Sequence, residues 1–243
     1  AHLKKCCVEL GGKDSMIVLE DADLEKAAEA ANFGSFMHQG QVCMSTEKLL
    51  VHESVYEPFM QKFLARAGKL KTGHVNDKTN VIGPLVNTRQ AHRVKALIDD
   101  AVAKGAHLAL GGNAWENFVE PTVLTHVDRS MDIWHDETFG PVVIVAPFRT
   151  EDEAIEMNND TEYGLTAAVW TANEGRALQM AGRLETGMVH INDQNINDEP
   201  QVPFGGVKAS GVGRYGGRWS LDAFTELRWI TLERGGRHYP PVF

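Results

Sequence analysis

Cys43 is the residue whose setting most suggests covalent chemistry. It sits in the stretch Phe33-Gly-Ser-Phe-Met-His-Gln-Gly-Gln-Val-Cys43-Met-Ser-Thr46. A helical pattern runs into this stretch, glycines break it, and the apolar run Lys48-Leu-Leu-Val-His52 leaves it. A thiol lifted on such a turn, close to backbone N–H groups, has a lowered pKa and attacks as a thiolate. The competing reading is an inert core thiol, because free cysteine is among the most buried residue types. His38 lies close by and suggests a Cys/His hydrolase, although the base of such a pair usually comes from distant sequence. Glu9 ends a short apolar run before Gly11-Gly12, where it reads either as a solvated strand-edge carboxylate or as a base.

Metal chemistry finds little support. His2 with Cys6 and Cys7, or His126 with His135, brings ligand types together without a recognised ligand spacing, so no metal is expected. Gly211-Val-Gly-Arg-Tyr-Gly216 matches G-x-G-x-x-G, but Gly-Gly-Val-Lys-Ala-Ser precedes it where a dinucleotide fingerprint needs a strand. It is read as a decoy. Asn159-Asp-Thr161 has the form of a glycosylation acceptor and is read as chance.

The 243 residues carry a net charge of −9, and no Lys/Arg run exceeds two residues. That balance argues against nucleic acid and anionic membrane surfaces as partners. No apolar run reaches the roughly 18 residues that span a bilayer. Three cysteines, two of them adjacent, do not form a disulfide framework, and the start of the chain lacks an apolar signal segment. The expected location is therefore the reducing cytoplasm.

The elements that must position Cys43 alternate. Strands are expected at Cys6–Leu10, Met16–Leu19, Lys48–His52, His107–Leu110, Pro121–Leu124, Val142–Ala146, Leu165–Trp170 and Met188–Ile191. A helix opening at Asp21 and Asp23 buries Leu24, Ala27, Ala28 and Ala31. A capping box at Ser54–Glu57 precedes the stripe Phe59, Met60, Phe63, Leu64 and Ala67. Thr88 caps a helix whose face is Val94, Leu97, Ile98, Ala101 and Val102. Further helices start at Thr150 and Asn173. Such alternation predicts an α/β fold, an open and mostly parallel sheet with helices on both faces. Beyond Asn192 the chain is loop-rich, with one or two helical turns at Leu221–Leu227. Arg228-Trp-Ile-Thr-Leu232 then reads as a lone strand in need of an edge.

Four stretches, in order, carry a resemblance to the aldehyde dehydrogenase family: Glu9-Leu-Gly-Gly-Lys13, Gln39-Gly-Gln-Val-Cys43, Glu137-Thr-Phe-Gly-Pro141 and Pro203-Phe-Gly-Gly-Val-Lys-Ala-Ser-Gly211. The resemblance implies NAD(P)-dependent oxidation of an aldehyde to a carboxylic acid. Cys43 would form a thiohemiacetal and then a thioester, and Glu9 would activate the deacylating water. Glu137 would hold the cofactor ribose and Phe139 would flank it, with Leu10, Gln90 and Arg93 as further cofactor-binding positions. Met37, Val42, Met44 and Phe204 would line the aldehyde tunnel, with Asn192–Pro200 as its far wall. The look is nearest to benzaldehyde, salicylaldehyde and vanillin dehydrogenases. By the same resemblance, residues 1–10 end a cofactor-binding domain that would lie upstream, 11–208 form the catalytic domain, and 209–243 form a tail. The tail's oligomerisation strand adds to a neighbouring subunit, which implies a homo-oligomer, a dimer or tetramer. The alternatives are a cofactor-free thioester or ester hydrolase and a non-catalytic assembly subunit.

Overall fold

The computed structural model describes residues 3–242. Seven strands form its central sheet: β1 Asp14–Val18, β2 Thr46–His52, β3 His107–Leu110, β4 Thr122–Thr125, β5 Val142–Phe148, β6 Thr166–Trp170 and β7 Met188–Ile191. Their spatial order is β7-β6-β1-β2-β5-β4-β3. Every neighbouring pair is parallel except β3 with β4. The expected open, mostly parallel sheet is therefore present.

Successive side chains of a strand face opposite sides, and here both sides are dry. Met16, Val18, Leu49, Val51, Val143 and Val145 face a core capped by α1 Leu24–Phe36 and α2 Tyr56–Ala67. Ile17, Leu50, Ile144, Ala167 and Val169 face the opposite core, closed by α3 Thr88–Ala103, α4 Glu151–Asn159 and α5 Glu174–Ala181. On the first face Phe36, Phe59 and Phe63 stack, with ring centroids 6.2 and 5.9 Å apart.

Several local expectations change at helix ends. Asp23 caps α1 by accepting from the Glu25 and Lys26 N–H groups. The Ser54 capping box does not form: α2 starts at Tyr56, and the preceding turn is capped by the His52 ring, which Ser54 N–H reaches. Asn87 caps α3, not Thr88: Asn87 is extended (φ −164°) and its side-chain oxygen accepts the Gln90 N–H at 2.9 Å, while Thr88 is already helical. Val102 stands exposed at the fringe of its helix face. The run at Cys6–Leu10 pairs only over Val8–Glu9, antiparallel to Gly211–Val212.

The tail holds a short helix, α6 Gly217–Phe224. Arg228–Leu232 is not a strand within this chain. A strand needs a ladder, and no described backbone pairs with it, so Trp229, Ile230 and Leu232 remain exposed. Among the described residues no helix is long and apolar enough to cross a membrane.

Candidate active site

The loop after α1 reverses through three consecutive left-handed residues, His38, Gln39 and Gly40, with φ of +50°, +59° and +66°. Gly40 packs against the backbone of Gly140, so the Cys43 loop and the Glu137–Pro141 loop touch main chain to main chain. The chain then turns once more at Val42–Ser45, closed by Ser45 N–H donating to the Val42 carbonyl at 2.9 Å, and enters β2. Cys43 rides on this turn, half-buried, against a small apolar cluster of Val42, Met44, Leu165, Met188, Phe204 and Tyr215.

The expected lowering of the thiol pKa is not what this environment does. Burial pushes the Cys43 thiol up to about 11, and nearby negative charge, including that of Glu9 and Glu137, adds to the rise. The turn supplies a backbone N–H, which lowers the thiol pKa, but no cation, and this one hydrogen bond is outweighed by burial and negative charge. Alkylation of Cys43 by iodoacetamide should therefore keep climbing about tenfold per pH unit after an ordinary thiol, with its pKa of about 8.5, has levelled off. Site-resolved peptide mass spectrometry across pH 7 to 11 checks this.

Glu9 is held opposite by the late glycine-rich stretch. Leu10 N–H donates to the Ser210 carbonyl at 2.9 Å, and Val8–Glu9 pair with Gly211–Val212. Gly211 has φ +141°, and a side chain there would collide with the Val8 carbonyl, so the glycine is needed for this close approach. A side chain at Gly213 would collide with the Cys7 sulfur. The G-x-G-x-x-G run thus packs on protein backbone and offers no open phosphate cradle. Glu9 is largely exposed, and its carboxyl is raised from the usual range by what burial it has and by Asp198. Asp198 belongs to the Asn192–Pro200 loop, which is anchored by the fully buried Asn195. That side chain donates to the Ser15 carbonyl at 3.0 Å and accepts from Thr46 Oγ at 2.7 Å.

Glu137 faces the glycine pair between Glu9 and Lys13. Its Oε1 accepts the Gly12 N–H at 3.1 Å, and a Cβ at Gly11 would stand 2.7 Å from the same oxygen. Burial and the charge of Glu47 raise its pKa, opposed by the Gly12 N–H and by Arg93 and Lys13. The loop carrying it is fastened from beneath. Glu47, on β2, accepts the N–H groups of Thr138 (2.8 Å) and Phe139 (2.9 Å) and pairs with Lys13 at 2.6 Å. Lys13 also donates to Thr138 Oγ at 3.0 Å. From the side, Gln90 donates to the Thr138 and Phe139 carbonyls, and Arg93 to those of Glu137 and Thr138. Gln90 and Arg93 thus donate to loop carbonyls here, beside the place where the resemblance implies cofactor contact. Phe139 adopts φ +51° under this clamp, and Leu10 is exposed beside Glu9.

Val42, Met44 and Phe204 gather around Cys43 as expected. Met37 does not join them. It lines a separate cleft with Phe33, His38, Gln39, Leu70 and Val81. His38 is in that cleft too, exposed and away from the Cys43 cluster, which removes the basis for a Cys43/His38 pair. His126 packs edge-on against His107, 6.1 Å between centroids, while His135 bonds the Arg129 carbonyl. His2 lies outside the described residues. Sequence reasoning missed Lys13, Glu47 and Asn195. A charge flanked by strand residues, as Glu47 is between Thr46 and Lys48, was the available signal for one of them.

The aldehyde dehydrogenase family model matches residues 1–230, nearly the whole chain that builds this arrangement. The chain belongs to the aldehyde dehydrogenase family. It is 48% identical over 239 residues to a vanillin dehydrogenase of Pseudomonas fluorescens, covering 98% of this chain and 50% of the relative. It is 45% identical to an NAD(+) benzaldehyde dehydrogenase of Pseudomonas putida, covering 98% of this chain and 49% of the relative. The solved salicylaldehyde dehydrogenase of Pseudomonas putida G7, complexed with salicylaldehyde, superimposes with a TM-score of 0.91 at 42% identity, covering 96% of this chain and 48% of that one. The chain spans about half the length of the curated relatives it matches.

Proposed function

We propose that this chain is the catalytic half of an NAD(P)-dependent aldehyde dehydrogenase that oxidises aromatic aldehydes to carboxylic acids. The observation that carries the reading is the convergence of Cys43, Glu9 and Glu137 on the Gly11–Gly12 turn, with an apolar cluster containing two aromatic rings beside the thiol.

The donor set suits a dinucleotide ribose. One Glu137 oxygen is committed to the Gly12 N–H, and an acceptor-only carboxylate matches a pair of hydroxyls. The missing side chain at Gly11 keeps the approach to that carboxylate open. Glu137 would hold the ribose, with Phe139 alongside and Leu10 near the nicotinamide end. Gln90, Arg93 and the Lys13–Glu47 pair position Glu137 from behind. When bound, the nicotinamide supplies the two-electron acceptor that the side chains lack.

Cys43 adds to the aldehyde carbonyl through sulfur, and its backbone N–H is a donor for the oxyanion. A thiol held near 11 must lose its proton as it attacks, and Glu9 is the neighbouring carboxylate with a raised pKa. After oxidation the acyl group is a thioester on Cys43. Glu9, ionised, then takes a proton from water as that water attacks the thioester, which releases the acid and the thiolate. Val42, Met44 and Phe204 shape the aldehyde side, and the Asn192–Pro200 loop closes it.

By the same reading residues 1–10 end a cofactor-binding domain, 11–208 are the catalytic domain and 209–243 the tail. The exposed segment Arg228–Leu232 would pair with a sheet edge of a second copy, giving a homo-oligomer in the cytoplasm. β7 is one open edge of the sheet. The test joins the family's dinucleotide-binding half ahead of this chain and supplies benzaldehyde, salicylaldehyde or vanillin with NAD+ or NADP+. The reading expects acid and reduced nucleotide in equal amounts. Ester hydrolysis with no aldehyde-dependent nucleotide reduction would support the hydrolase instead.

A further inference from the structure

Asp14 stands directly behind the nucleophile turn, and neither the motifs nor the mechanism uses it. It opens β1, is buried, and receives the Thr166 N–H on Oδ1 at 2.8 Å. Its other oxygen, Oδ2, is buried with no hydrogen-bond partner. A Cβ added at Gly12 would stand 2.7 Å from Asp14 Oδ2 and also 2.7 Å from the Cys43 carbonyl oxygen. The two oxygens thus flank the same small space over Gly12. A buried, unpartnered carboxyl oxygen beside a carbonyl oxygen is an arrangement that a proton on Oδ2 would resolve.

We propose that Asp14 is a neutral carboxylic acid whose Oδ2–H donates to the Cys43 carbonyl, making it a positioning residue for the nucleophile. This rests on the reading of Cys43 as the nucleophile. The surroundings favour the acid form. The nearest cation, Lys13, is engaged by Glu47 and Thr138. The remaining charged groups that face Asp14 are the carboxylates of Glu47 and Glu137. An ionised Asp14 would leave a buried anionic oxygen unpaired beside further negative charge, which is costly. Burial accordingly raises the Asp14 pKa well above its usual range, with the Thr166 N–H opposing.

The neutral acid does two things for Cys43. Its donated hydrogen bond fixes the Cys43–Met44 peptide plane, and so the backbone torsion next to the side chain that reacts. It also keeps a negative charge away from a sulfur that must itself become anionic. Because the folded state retains a proton that the unfolded chain releases near pH 4, Asp14 costs stability progressively as pH rises above that value. Asparagine has the shape and donor of the neutral acid and no such cost.

Infrared spectroscopy of the chain labelled with carboxyl-13C aspartate reads the proton directly. At pH 7 the proposal expects a protonated-carboxyl C=O band, which Asp14→Asn removes. A second readout is acetylation of Cys43 by p-nitrophenyl acetate, which should slow about tenfold in Asp14→Ala and recover in Asp14→Asn. The melting temperature of Asp14→Asn should exceed that of the parent by a margin that widens from pH 4 to pH 8. Absence of the band in the unsubstituted chain at pH 7, or no recovery in Asp14→Asn, would overturn the proposal. The band reports on Asp14 whether or not Cys43 accepts an acyl group, so failure here is distinguishable from failure of the functional reading.

Discussion

Glu47→Ala should cost the chain about 3–5 kcal/mol, measured by urea unfolding. The pair it breaks is fully withdrawn from water, with Lys13 0% and Glu47 4% exposed at their side chains. Removing the carboxylate leaves the buried Lys13 ammonium with the Thr138 hydroxyl as its remaining recorded partner. It also leaves the Thr138 and Phe139 N–H groups without an acceptor. The attraction itself is not the main loss, since desolvation offsets much of it. The uncompensated charge and the two orphaned donors are. The Glu137 loop would lose its main fastening from below, the two N–H bonds to Glu47, and keep Lys13 on Thr138 Oγ, Gly12 on Glu137, and Gln90 and Arg93 on its carbonyls. Replacing both partners at once, Lys13→Met with Glu47→Leu, should recover part of the stability by removing the buried charge. A loss below about 1 kcal/mol for Glu47→Ala would mean that the pair is solvated, as exposed pairs are.

Gly40→Ala should be at least as damaging, on the order of 4 kcal/mol or more, a range reached only through a specific steric or electrostatic fault. Gly40 sits at φ +66°, where a Cβ carries a penalty of about 1–2 kcal/mol. The added atom would also collide with the Gly140 carbonyl, and Gly140 is itself packed against Val94 of α3. Neither obstacle is a flexible side chain that swings away. The Cys43 loop and the Glu137 loop must separate, and a melting-temperature fall with loss of Cys43 acylation is the expected result. A fully active, equally stable Gly40→Ala would contradict the contact between the two loops.

What the residues announced in advance depended on how locally each feature is determined. Strand runs such as Val142-Val-Ile-Val, and helices with one apolar face, declared themselves because hydrophobic periodicity is a property of neighbouring positions. Caps were less legible. Asn87 and Thr88 are both competent, and tertiary placement of the chain decided for Asn87. Cys43 and Glu9 were visible as chemistry, but their electrostatics were not. The thiol pKa moves up first because tertiary packing buries Cys43, and then because acidic groups far apart in sequence, Glu9 and Glu137 among them, converge on one turn. The structural reason for the Pro203–Gly211 signature was equally hidden: its end supplies the backbone edge on which Glu9 sits. Arg228–Leu232 has the residues of a strand, but a ladder needs a partner that lies outside the segment itself.

The measurement that tests the account most directly is peptide mass spectrometry of the chain after brief treatment with p-nitrophenyl acetate, with and without Glu9→Gln. If Cys43 is the acyl-accepting nucleophile and Glu9 the deacylating base, the acetyl group appears on Cys43 in preference to Cys6 and Cys7. It then persists longer in Glu9→Gln, by about 100-fold or more, as loss of a general base requires. Acetylation confined to Cys6 and Cys7, or a Cys43 thioester that decays at the same rate in both proteins, would contradict that assignment.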